Sequence, residues 1–355
     1  MSLIREGAIT FETEGAFYNP RMVLNRDIGV AMAGSLGLTE YLDALSASGV
    51  RGLRVAREAG VAEVALNDVS PQAAALMRAN AGRNGLQCTV SCKSANVLLH
   101  EQHFQAVDLD PFGSPSPYIS AASRSALSYL FITATDTAPL CGAHLNSGIR
   151  KYMAYPLRTD YHREMGARIL LGLAARELAR RDRGLSPLLT HVTDHYVRTY
   201  LSLCKGAKAA DRSLESVGYV EHCFACGSFS LLDAPHPGGV CRHCLGKTNV
   251  GGPLWLGRLH DQQAIAAALA WGEGRKLLSR RAEKILACCA QEIDAPLYYD
   301  HHSICERLHI TPGKIDQAVE RLRARGRRAS RTHFWGLGIK TDASLAEVEE
   351  AVRQG

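Results

Sequence analysis

The chain has 355 residues, of which 46% are hydrophobic and 21% are charged. These values are typical of a globular protein with two or three domains, and they exclude a peptide hormone and a disordered tail. No run approaches 18 consecutive apolar residues, so no membrane-spanning helix and no membrane partner are expected. The N-terminal sequence MSLIREGAITFETEG lacks a secretion or transit pattern, which predicts a cytoplasmic protein. A net charge of +6 permits a nucleic-acid partner without requiring one.

The first half alternates between strand and helix patterns. Ser70 and Pro71 are typical of a helix N-cap and first helical residue, and Gly85 of a helix end. The β-α-β-α-β rhythm predicts an α/β fold with a parallel, doubly wound sheet. Strands are predicted in TEYLDALS (39–46), VAEVALND (61–68), QCTVSC (87–92), QAVDLD (105–110) and SYLFITATD (128–136), and helices in LRVAREAG (53–60), PQAAALMRANAGRNG (71–85) and PSPYISAASRSALS (115–128).

The second half begins with a helical pattern over 161–184. Residues 187–203 follow, and their pattern indicates either a strand pair or one long strand. Cysteine, glycine and proline are concentrated over 210–253, and the chain from Leu259 onward is mostly helical. We therefore predict a boundary between residues 215 and 216, with a smaller α+β domain after it.

Acidic residues end several of the predicted strands. Asp43, Asp68 and Asp110 each lie at or just after a strand end, where ligands bind in open α/β sheets. Asp68 lies 19 residues after Gly49, the offset of an acid that hydrogen-bonds a ribose. Because SASGVRG is not a GxGxxG motif, a dinucleotide is poorly supported, and S-adenosylmethionine fits better. The alternative is that NDVS forms an ordinary strand-end turn.

The segment DPFGSP (110–115) is the sharpest short motif of the first half. Enzymes that methylate an exocyclic amine of a base need an acceptor to orient the amine and an aromatic ring to hold the extruded base. Asp110 and Phe112 supply these two groups. The alternative is a plain Asp-Pro turn with a buried phenylalanine.

Near the N-terminus, FYNPRMVLNRD (17–27) combines aromatic residues with an arginine. This combination suits a grip on a base or on a cofactor carboxylate. A tight turn followed by a capped helix explains the same residues, and without other support that explanation is favoured.

Two CxxC pairs separated by fourteen residues predict a structural zinc site. Four thiolates complete a tetrahedral set and leave no open position for catalysis. Reduced thiols without a metal are the alternative, and the other seven of the eleven cysteines have no comparable spacing. The four predicted ligands are Cys223, Cys226, Cys241 and Cys244.

The C-terminal unit reads as helix, turn, helix and a short basic hairpin, which resembles a winged helix. Six arginines fall within eleven residues, and this density favours contacts with nucleic-acid phosphates over a solvated helix face. They are Arg321, Arg323, Arg325, Arg327, Arg328 and Arg331.

Together these motifs resemble the tRNA (guanine-26-N2)-dimethyltransferase family over nearly the whole chain. DPFGSP followed by TATDTAPLCG is the most specific part of the match. The motifs that carry it are FYNPRMVLNRD (17–27), DALSASGVRGLR (43–54), LNDVS (66–70), DPFGSP (110–115), TATDTAPLCG (133–142), DHYVRTYL (194–201), the two CxxC pairs, GPLWLG (252–257) and RTHFWGLGIKTDA (331–343).

The resemblance implies a Rossmann-like class I methyltransferase domain over 1–215 and a tRNA-binding domain over 216–355, with a zinc module at 218–250 and a winged-helix-like unit at 255–355. It implies that the protein dimethylates N2 of guanine 26 in tRNA as a cytoplasmic monomer without an obligatory protein partner.

The same resemblance assigns roles to individual residues. Asp110 should accept the guanine amine, and Phe17 and Phe112 should hold the flipped base. The family usually has an acid just before Ala95, where this chain has Ser94, so the bond to the cofactor's adenine should be weaker. Contacts with S-adenosylmethionine are implied for Arg26, Arg51, Asp68, Ser94 and Ala95.

Two other functions compete with this one. The first is an amino-methyltransferase acting on DNA or ribosomal RNA. The second is a non-catalytic protein that binds DNA through a zinc ribbon and a winged helix. Such a binder would not need the set Asp68, Asp110 and Phe112, so these three residues distinguish an enzyme from it.

Overall fold

A computed structural model describes residues 3–353 of the chain. Its strands are β1 (Ile4–Glu6), β2 (Ile9–Phe11), β3 (Glu40–Asp43), β4 (Glu63–Asp68), β5 (Cys88–Cys92), β6 (Phe104–Leu109), β7 (Ala126–Ala134), β8 (Arg183–Thr193), β9 (Tyr196–Lys205), β10 (Val217–Cys223), β11 (Phe229–Leu232), β12 (Thr248–Trp255), β13 (Tyr299–Asp300), β14 (Ala329–Arg331) and β15 (Gly338–Thr341).

The helices alternate with these strands in the first half and dominate the last hundred residues. They are α1 (Val23–Ser35), α2 (Val50–Arg54), α3 (Pro71–Arg83), α4 (Ala95–Glu101), α5 (Ser116–Ser125), α6 (Thr137–Leu140), α7 (Leu145–Tyr152), α8 (His162–Ala179), α9 (Ala207–Glu215), α10 (Gln262–Glu273), α11 (Arg280–Gln291), α12 (His301–Arg307), α13 (Ile315–Ala324) and α14 (Leu345–Arg353). None of the helices within residues 3–353 combines the length and apolar character needed to cross a bilayer.

The predicted strands and helices of the first half are present. Ser70 caps α3 by accepting a hydrogen bond from the Ala73 N–H, and Pro71 is its first residue. Gly85 follows the helix with a φ of +60°, a backbone conformation that glycine adopts without strain. A hairpin of β1 and β2 precedes these elements, and the sequence patterns did not indicate it.

The central sheet has seven strands in the order β5-β4-β3-β6-β7-β9-β8. The first five strands are parallel, as predicted for the first half. Residues 187–203 form the strand pair, one of the two predicted alternatives: β9 pairs antiparallel with β7, and β8 pairs antiparallel with β9. Only Asp194 and His195 separate the two strands, and a turn of that length can join only antiparallel neighbours.

Alternate residues of the central strands enter two different cores. Leu42, Val107 and Leu130 pack with α5 and α8 on one face of the sheet. Tyr41 and Phe131 pack on the other face, which is covered by α1, α3, α10 and α11. Helices from after residue 216 thus contribute to the core of the first half, and the domain boundary at 215/216 stays a prediction.

Two smaller three-stranded sheets complete the fold. One has the order β11-β10-β12 and carries the paired cysteines at its ends, and β12 packs on α8. The other has the order β13-β15-β14 and packs with α12, α13 and α14. The predicted C-terminal helix, turn, helix and hairpin are all present in this unit.

A buried ion-pair cluster fastens α8 to the C-terminal sheets. Glu164 Oε1 accepts hydrogen bonds from Arg168 Nε at 2.8 Å and from the Leu297 N–H at 2.9 Å, and it lies 3.0 Å from Lys340 Nζ. Arg168 also donates to the carbonyl oxygens of Trp255 and Gly257. Glu164 is fully buried, and it is the counter-charge of buried Arg168 and, together with Glu292, of buried Lys340.

Replacing Glu164 with alanine should lower the free energy of unfolding by about 3–5 kcal/mol, because Arg168 and Lys340 would lose that counter-charge. Glu177→Ala is the matched control on the same helix. It removes half of a surface pair with Arg180 (3.5 Å) and should cost at most about 1 kcal/mol. Denaturant unfolding followed by circular dichroism measures both, and equal losses would contradict this role for Glu164.

Candidate functional site

A cavity of about 150 Å³ opens at the carboxyl edge of β3 and β6. Ligands bind at this edge of open α/β sheets. The side chains that line it come from the α1 entry segment, the loop after β3 and the DPFGSP loop. They include Phe17, Arg26, Asp43, Arg51, Asp110 and Phe112.

Glycines give the loop after β3 its shape. Gly49 has a φ of +82° and begins α2, as SASGVRG suggests. A Cβ at Gly52 would lie 2.2 Å from Leu66 Cδ2, so a larger residue there would have to displace the Leu66 side chain, and glycine lets α2 lie close against β4. This close packing places Arg51 at the cavity.

Asp110 and Arg51 form a direct ion pair. Arg51 Nη2 donates to Asp110 Oδ2 and also to Asn25 Oδ1 at 2.8 Å. Burial lowers the pKa of the Arg51 guanidinium, but Asp110 and Asp108 raise it more, so its pKa lies above the ordinary value. Arg51 therefore remains a cation that holds one oxygen of Asp110 in place and leaves Oδ1 for another donor.

A second carboxylate, Asp108, lies beneath this pair and is fully buried. Arg198 binds both of its oxygens, at 2.7 and 2.6 Å, and Tyr41 donates to it at 2.5 Å. Burial alone would raise the pKa of Asp108, but Arg198 and Arg51 lower it by more, so the pKa lies below its ordinary value.

Asp108 and Arg198 are two residues of the site that the sequence patterns did not indicate. Asp108 stands two residues before Asp110 in AVDLD, on the same side of β6, and this period-two spacing was the available signal. Arg198 lies in DHYVRTYL, and its approach to Asp108 depends on the pairing of β9 with β7, which no local pattern specifies.

Arg26 has a partner of its own. Its guanidinium donates to both oxygens of Glu6, at 2.6 and 2.7 Å, and to the Asn19 carbonyl at 3.2 Å. Arg54 binds Glu6 as well, and the two arginines outweigh the effect of burial and lower the pKa of Glu6. Arg26 thus lines the cavity while its charge is already balanced by the N-terminal hairpin.

Phe17 and Phe112 meet at the mouth of the cavity. Their ring centroids are 5.6 Å apart at an interplanar angle of 70°, and the residues are 60% and 88% exposed. The alternative of a buried Phe112 is therefore wrong. A base stacked between two rings needs parallel rings at about twice the 3.4 Å stacking distance, so these rings would have to rotate as well as separate to admit one.

Asp68, Ser94 and Ala95 are not among the residues that line the cavity. Asp68 ends β4, and its carboxylate accepts from the N–H groups of Ala47 and Ser70. The hydrogen bond from Ser70 forms the strand-end turn that the alternative interpretation of NDVS predicts. The hydrogen bond from Ala47 fixes the loop after β3, where Ala47 lines the cavity. Ser94 is exposed at the start of α4, and Ala95 is buried behind it.

The four paired cysteines come together. Their Sγ atoms all lie within 4.8 Å of one another, with Cys223 to Cys244 at 3.4 Å and Cys226 to Cys241 at 3.6 Å, and none forms a disulfide. A tetrahedral zinc ion with bonds of about 2.3 Å requires sulfur separations of about 3.8 Å. The donor set and its spacing therefore fit zinc.

A second group of donor residues contains His260, Cys289, Glu292 and His333. Its geometry is that of a hydrogen-bonded cluster, because His333 Nδ1 lies 2.5 Å from Glu292 Oε1 and its Nε2 accepts from the Val192 N–H. Lys340 Nζ also lies 3.3 Å from Glu292. We assign this group a structural role between β8, α11 and β15.

The C-terminal arginines are engaged within the protein. Arg325, Arg327 and Arg328 pair with Glu350, Glu347 and Asp342. Arg331 pairs with Asp316, while Arg321 and Arg323 donate to backbone carbonyls. These contacts weigh against the prediction that the arginine cluster binds phosphate, since each side chain would have to exchange its present partner.

The fold and these strand-end acids define the protein as an α/β enzyme of the type that binds a nucleoside cofactor at the carboxyl edge of its sheet. A family model described as N2,N2-dimethylguanosine tRNA methyltransferase matches residues 2–353. The chain belongs to this family.

Individual relatives agree with the family match. The tRNA (guanine(26)-N(2))-dimethyltransferase of Methanosarcina mazei is 48% identical over 95% of this chain and 91% of its own length. The enzyme of the same name from Natronomonas pharaonis is 43% identical, over 98% and 96%. The structure of Trm1 from Pyrococcus horikoshii with S-adenosyl-L-methionine superposes with a TM-score of 0.91 at 38% identity, covering 99% of this chain and all of the other.

Asp43 gives the site a measurable pH dependence. Burial raises its pKa, Arg51 lowers it, and Asp108 and Asp110 raise it again, to about 7. The folded protein thus keeps a proton on Asp43 that the unfolded chain releases near pH 3.8. The stabilisation from this proton is complete below that pH and is lost as the pH rises to about 7.

Asp43→Asn should therefore gain stability relative to the wild type between pH 4.5 and 7.5, by up to about 3 kcal/mol. Denaturant unfolding at half-unit pH intervals measures the difference between the two proteins. Above pH 8 the two stability curves should run parallel, because Asp43 is then ionised in both states. A difference that stays constant over the whole range would contradict the assignment.

Proposed function

We propose that this protein transfers two methyl groups from S-adenosylmethionine to the exocyclic N2 of guanine 26 in tRNA. The observation that carries the proposal is the Asp110 carboxylate, which Arg51 holds by one oxygen at a cavity whose mouth is formed by two exposed phenylalanines. The family of the chain, and the names of relatives that align over nearly its whole length, support the reaction and the substrate.

Asp110 has the geometry to activate the amine. The lone pair of the guanine amine is delocalised into the ring, which makes the nitrogen a poor nucleophile. Asp110 Oδ1 has no hydrogen-bond partner among the described residues, so it can accept a hydrogen from N2 and direct the lone pair at the methyl group. As the N–C bond forms, the bond between the methyl group and the sulfonium sulfur of the donor would break and leave a neutral thioether. The nitrogen would lose a proton, which the same carboxylate would accept as general base.

The target base must leave the helical stack before it can reach Asp110. Extrusion costs a few kcal/mol, and stacking on aromatic rings offsets part of that cost at about 1–3 kcal/mol per base. Phe17 and Phe112 are placed to provide it, because they already meet at the mouth of the cavity. Two exposed aromatic rings in contact form an apolar patch, and an exposed apolar patch at a cavity mouth is typical of a binding site.

S-adenosylmethionine supplies an electrophilic methyl group on a sulfonium. We propose that Asp68 accepts its ribose hydroxyls, that Ser94 and Ala95 border its adenine, and that Arg51 and Arg26 face its amino-acid end. Asp68 can take these bonds without losing its present ones, because each carboxylate oxygen has two lone pairs. Arg51 would then touch both the cofactor and Asp110, and would fix the methyl donor relative to the acceptor amine.

Dimethylation requires that the same groups act twice. After the first transfer N2 still carries one hydrogen, which Asp110 Oδ1 can again accept. Room beside Asp110 for the first methyl group is therefore the structural requirement for the second transfer.

We further propose that the part of the chain after residue 215 binds the body of the tRNA. In this proposal residues 218–250 form a module that holds one structural zinc ion, and residues 255–355 form a winged-helix-like unit. The clustered sulfurs support the first assignment, and the α12–α13 pair with its three-stranded sheet supports the second. From the family resemblance we also propose that the protein acts as a cytoplasmic monomer.

Asp110→Asn should lower the rate of methylation by about 10²–10⁴, because the amide cannot accept the proton. The assay is mass spectrometry of nucleosides from two tRNA transcripts, one with guanine and one with adenine at position 26. Binding of tRNA and of S-adenosylmethionine should persist.

Asp194→Asn is the control, because this exposed carboxylate at the same edge of the sheet pairs with Arg281. It should leave the rate unchanged. Normal turnover by Asp110→Asn, or equal methylation of the two transcripts, would refute the mechanism.

Cys226→Ser should release zinc and lower the melting temperature, because a structural metal contributes its binding free energy to folding. Elemental analysis and thermal unfolding under reducing conditions measure both effects. Cys204→Ser changes an exposed cysteine outside the cluster and should alter neither. A wild-type protein without zinc would refute the metal assignment.

A further inference from the structure

We propose that an exposed surface around α7 binds the phosphate backbone of tRNA beside the target guanine. We call it the α7 surface, and it consists of Ile149, Arg150, Lys151, Met153, Tyr155 and Arg158. The inference rests on the proposed function. It assigns contacts with tRNA phosphates to particular residues outside the C-terminal arginine cluster.

Hydrogen bonds join α7 directly to the catalytic loops. The Tyr152 hydroxyl donates to Asp136 Oδ1 and accepts from Ser114 Oγ at 2.9 Å. Ser114 belongs to DPFGSP and Asp136 to TATDTAPLCG. The two loops are also paired with each other, because the Gly113 N–H donates to Thr135 Oγ1 at 2.8 Å and the Thr135 N–H to the Gly113 carbonyl. Movement of α7 is thereby tied to the loop that carries Asp110.

Close backbone packing fixes the other end of the surface. A Cβ at Gly142 would lie 2.8 Å from Arg158 N, and a Cβ at Gly148 would lie 2.8 Å from the Pro139 carbonyl oxygen. Glycine is required at both positions because no side chain fits. The terminal glycine of TATDTAPLCG therefore holds residue 158 beside the catalytic edge, which gives that motif a role besides the turn after β7.

The α7 surface also reaches the C-terminal half of the chain. The N–H and carbonyl groups of Tyr155 exchange hydrogen bonds with Gly252 at 2.6 and 2.9 Å, which attaches this segment to β12. Arg176 of α8 donates to the carbonyl oxygens of Tyr152 and Met153. An RNA strand that leaves the cavity mouth across α7 would thus arrive at the sheet of the cysteine module.

The charges on this surface are available to a polyanion. Arg150 and Arg158 are exposed and have no hydrogen-bond or ion-pair partner in the part of the chain that the structure describes. Lys151 pairs with Asp136, and Asp160 is the one acidic residue between positions 143 and 160. Of the C-terminal arginines, the exposed Arg325, Arg327 and Arg328 differ, since they face Glu350, Glu347 and Asp342. The exposed Arg323 donates to the Ala329 carbonyl.

Apolar and aromatic groups stand among these cations. Met153 is 63% exposed and Tyr155 is 48% exposed. Interleaved cations and aromatic rings are typical of surfaces that follow a nucleic-acid strand, where phosphates meet the charges and bases or sugars rest on the rings. An acidic protein partner would meet the same cations, but it would gain nothing from their attachment to the catalytic loops.

The test compares tRNA binding by Arg150→Ala/Arg158→Ala with that of the wild type. Anisotropy of a fluorescent transcript carrying guanine 26, measured at several salt concentrations, should show at least tenfold weaker binding. The slope of log K against log salt should become shallower by about two, one for each lost phosphate contact. Methylation should show a raised KM for tRNA with kcat nearly unchanged, and calorimetry should show unchanged S-adenosylmethionine affinity.

Two other double variants serve as controls. Arg124→Ala/Lys208→Ala removes two exposed cations at the opposite edge of the sheet, where β7 begins and β9 ends, and should bind tRNA as the wild type does. Arg325→Ala/Arg327→Ala removes arginines that already face glutamates and should change the salt slope by less than the α7 variant. Arg150→Lys/Arg158→Lys retains the charges and should recover most of the affinity.

Wild-type affinity and salt slope for Arg150→Ala/Arg158→Ala would overturn the inference while leaving the proposed function intact. The same loss for the control at the opposite edge would overturn it too, because the effect would then be one of total charge. The inference would also be refuted if Arg150→Ala/Arg158→Ala still bound tRNA normally but lost binding of an acidic protein that the wild type binds. Failure of the wild type to bind any tRNA would refute both the inference and the proposed function.

Discussion

The buried pair of Asp108 and Arg198 is the interaction on which the arrangement of the catalytic edge depends. Asp108 lies on β6 and Arg198 on β9, and the two strands are separated in the sheet by β7. Two short hydrogen bonds, together with one from Tyr41 on β3, join three strands through a single carboxylate. Buried pairs add little net stability, because desolvation cancels most of the attraction. What this pair contributes is a fixed placement of β3, β6 and β9 relative to one another.

That position governs Asp110 through Arg51. The Arg51 guanidinium lies 3.9 Å from Asp108 and bonds directly to Asp110, so it stands between a structural carboxylate and the one proposed to accept the amine. Because Arg51 is held from two sides, its planar guanidinium keeps one orientation. It binds only Oδ2 of Asp110, so Oδ1 remains free to accept a hydrogen bond. The neutral state of Asp43 up to about pH 7 belongs to the same balance, because a third buried negative charge near one arginine would be poorly compensated.

Regions of the protein surface differ in whether their arginines are neutralised by nearby acids. Arg325, Arg327 and Arg328 near the C-terminus face acids of α14 and of the loop before it, whereas Arg150 and Arg158 at α7 have no partner among the described residues. Arginine density in the sequence therefore does not by itself locate uncompensated positive charge. Attraction to a polyanion depends on uncompensated charge, and compensation is a property of the folded surface, not of the composition of a segment.

The sequence by itself determined the local features of this protein. The period-two runs of β4 and β6, the Ser70-Pro71 start of α3 and the acids that end the strands all depend on neighbouring residues. The spacing of the cysteines and the motifs of residues 110–115 and 133–142 likewise carried the chemistry and the family. These signals are short-range, because hydrogen-bond geometry and rotation per residue fix them within a few positions.

Tertiary structure alone decided which charges meet. Arg26 met Glu6, Arg51 met Asp110 and Arg198 met Asp108, through contacts that span 20, 59 and 90 positions. Other features also depend on contacts between distant parts of the chain. They are the antiparallel pairing of β9 with β7, the packing of α10 and α11 on α1, and the free or paired state of each arginine. The partner of a charged side chain is set by the whole fold, because electrostatic attraction has no periodicity that a segment of sequence could display.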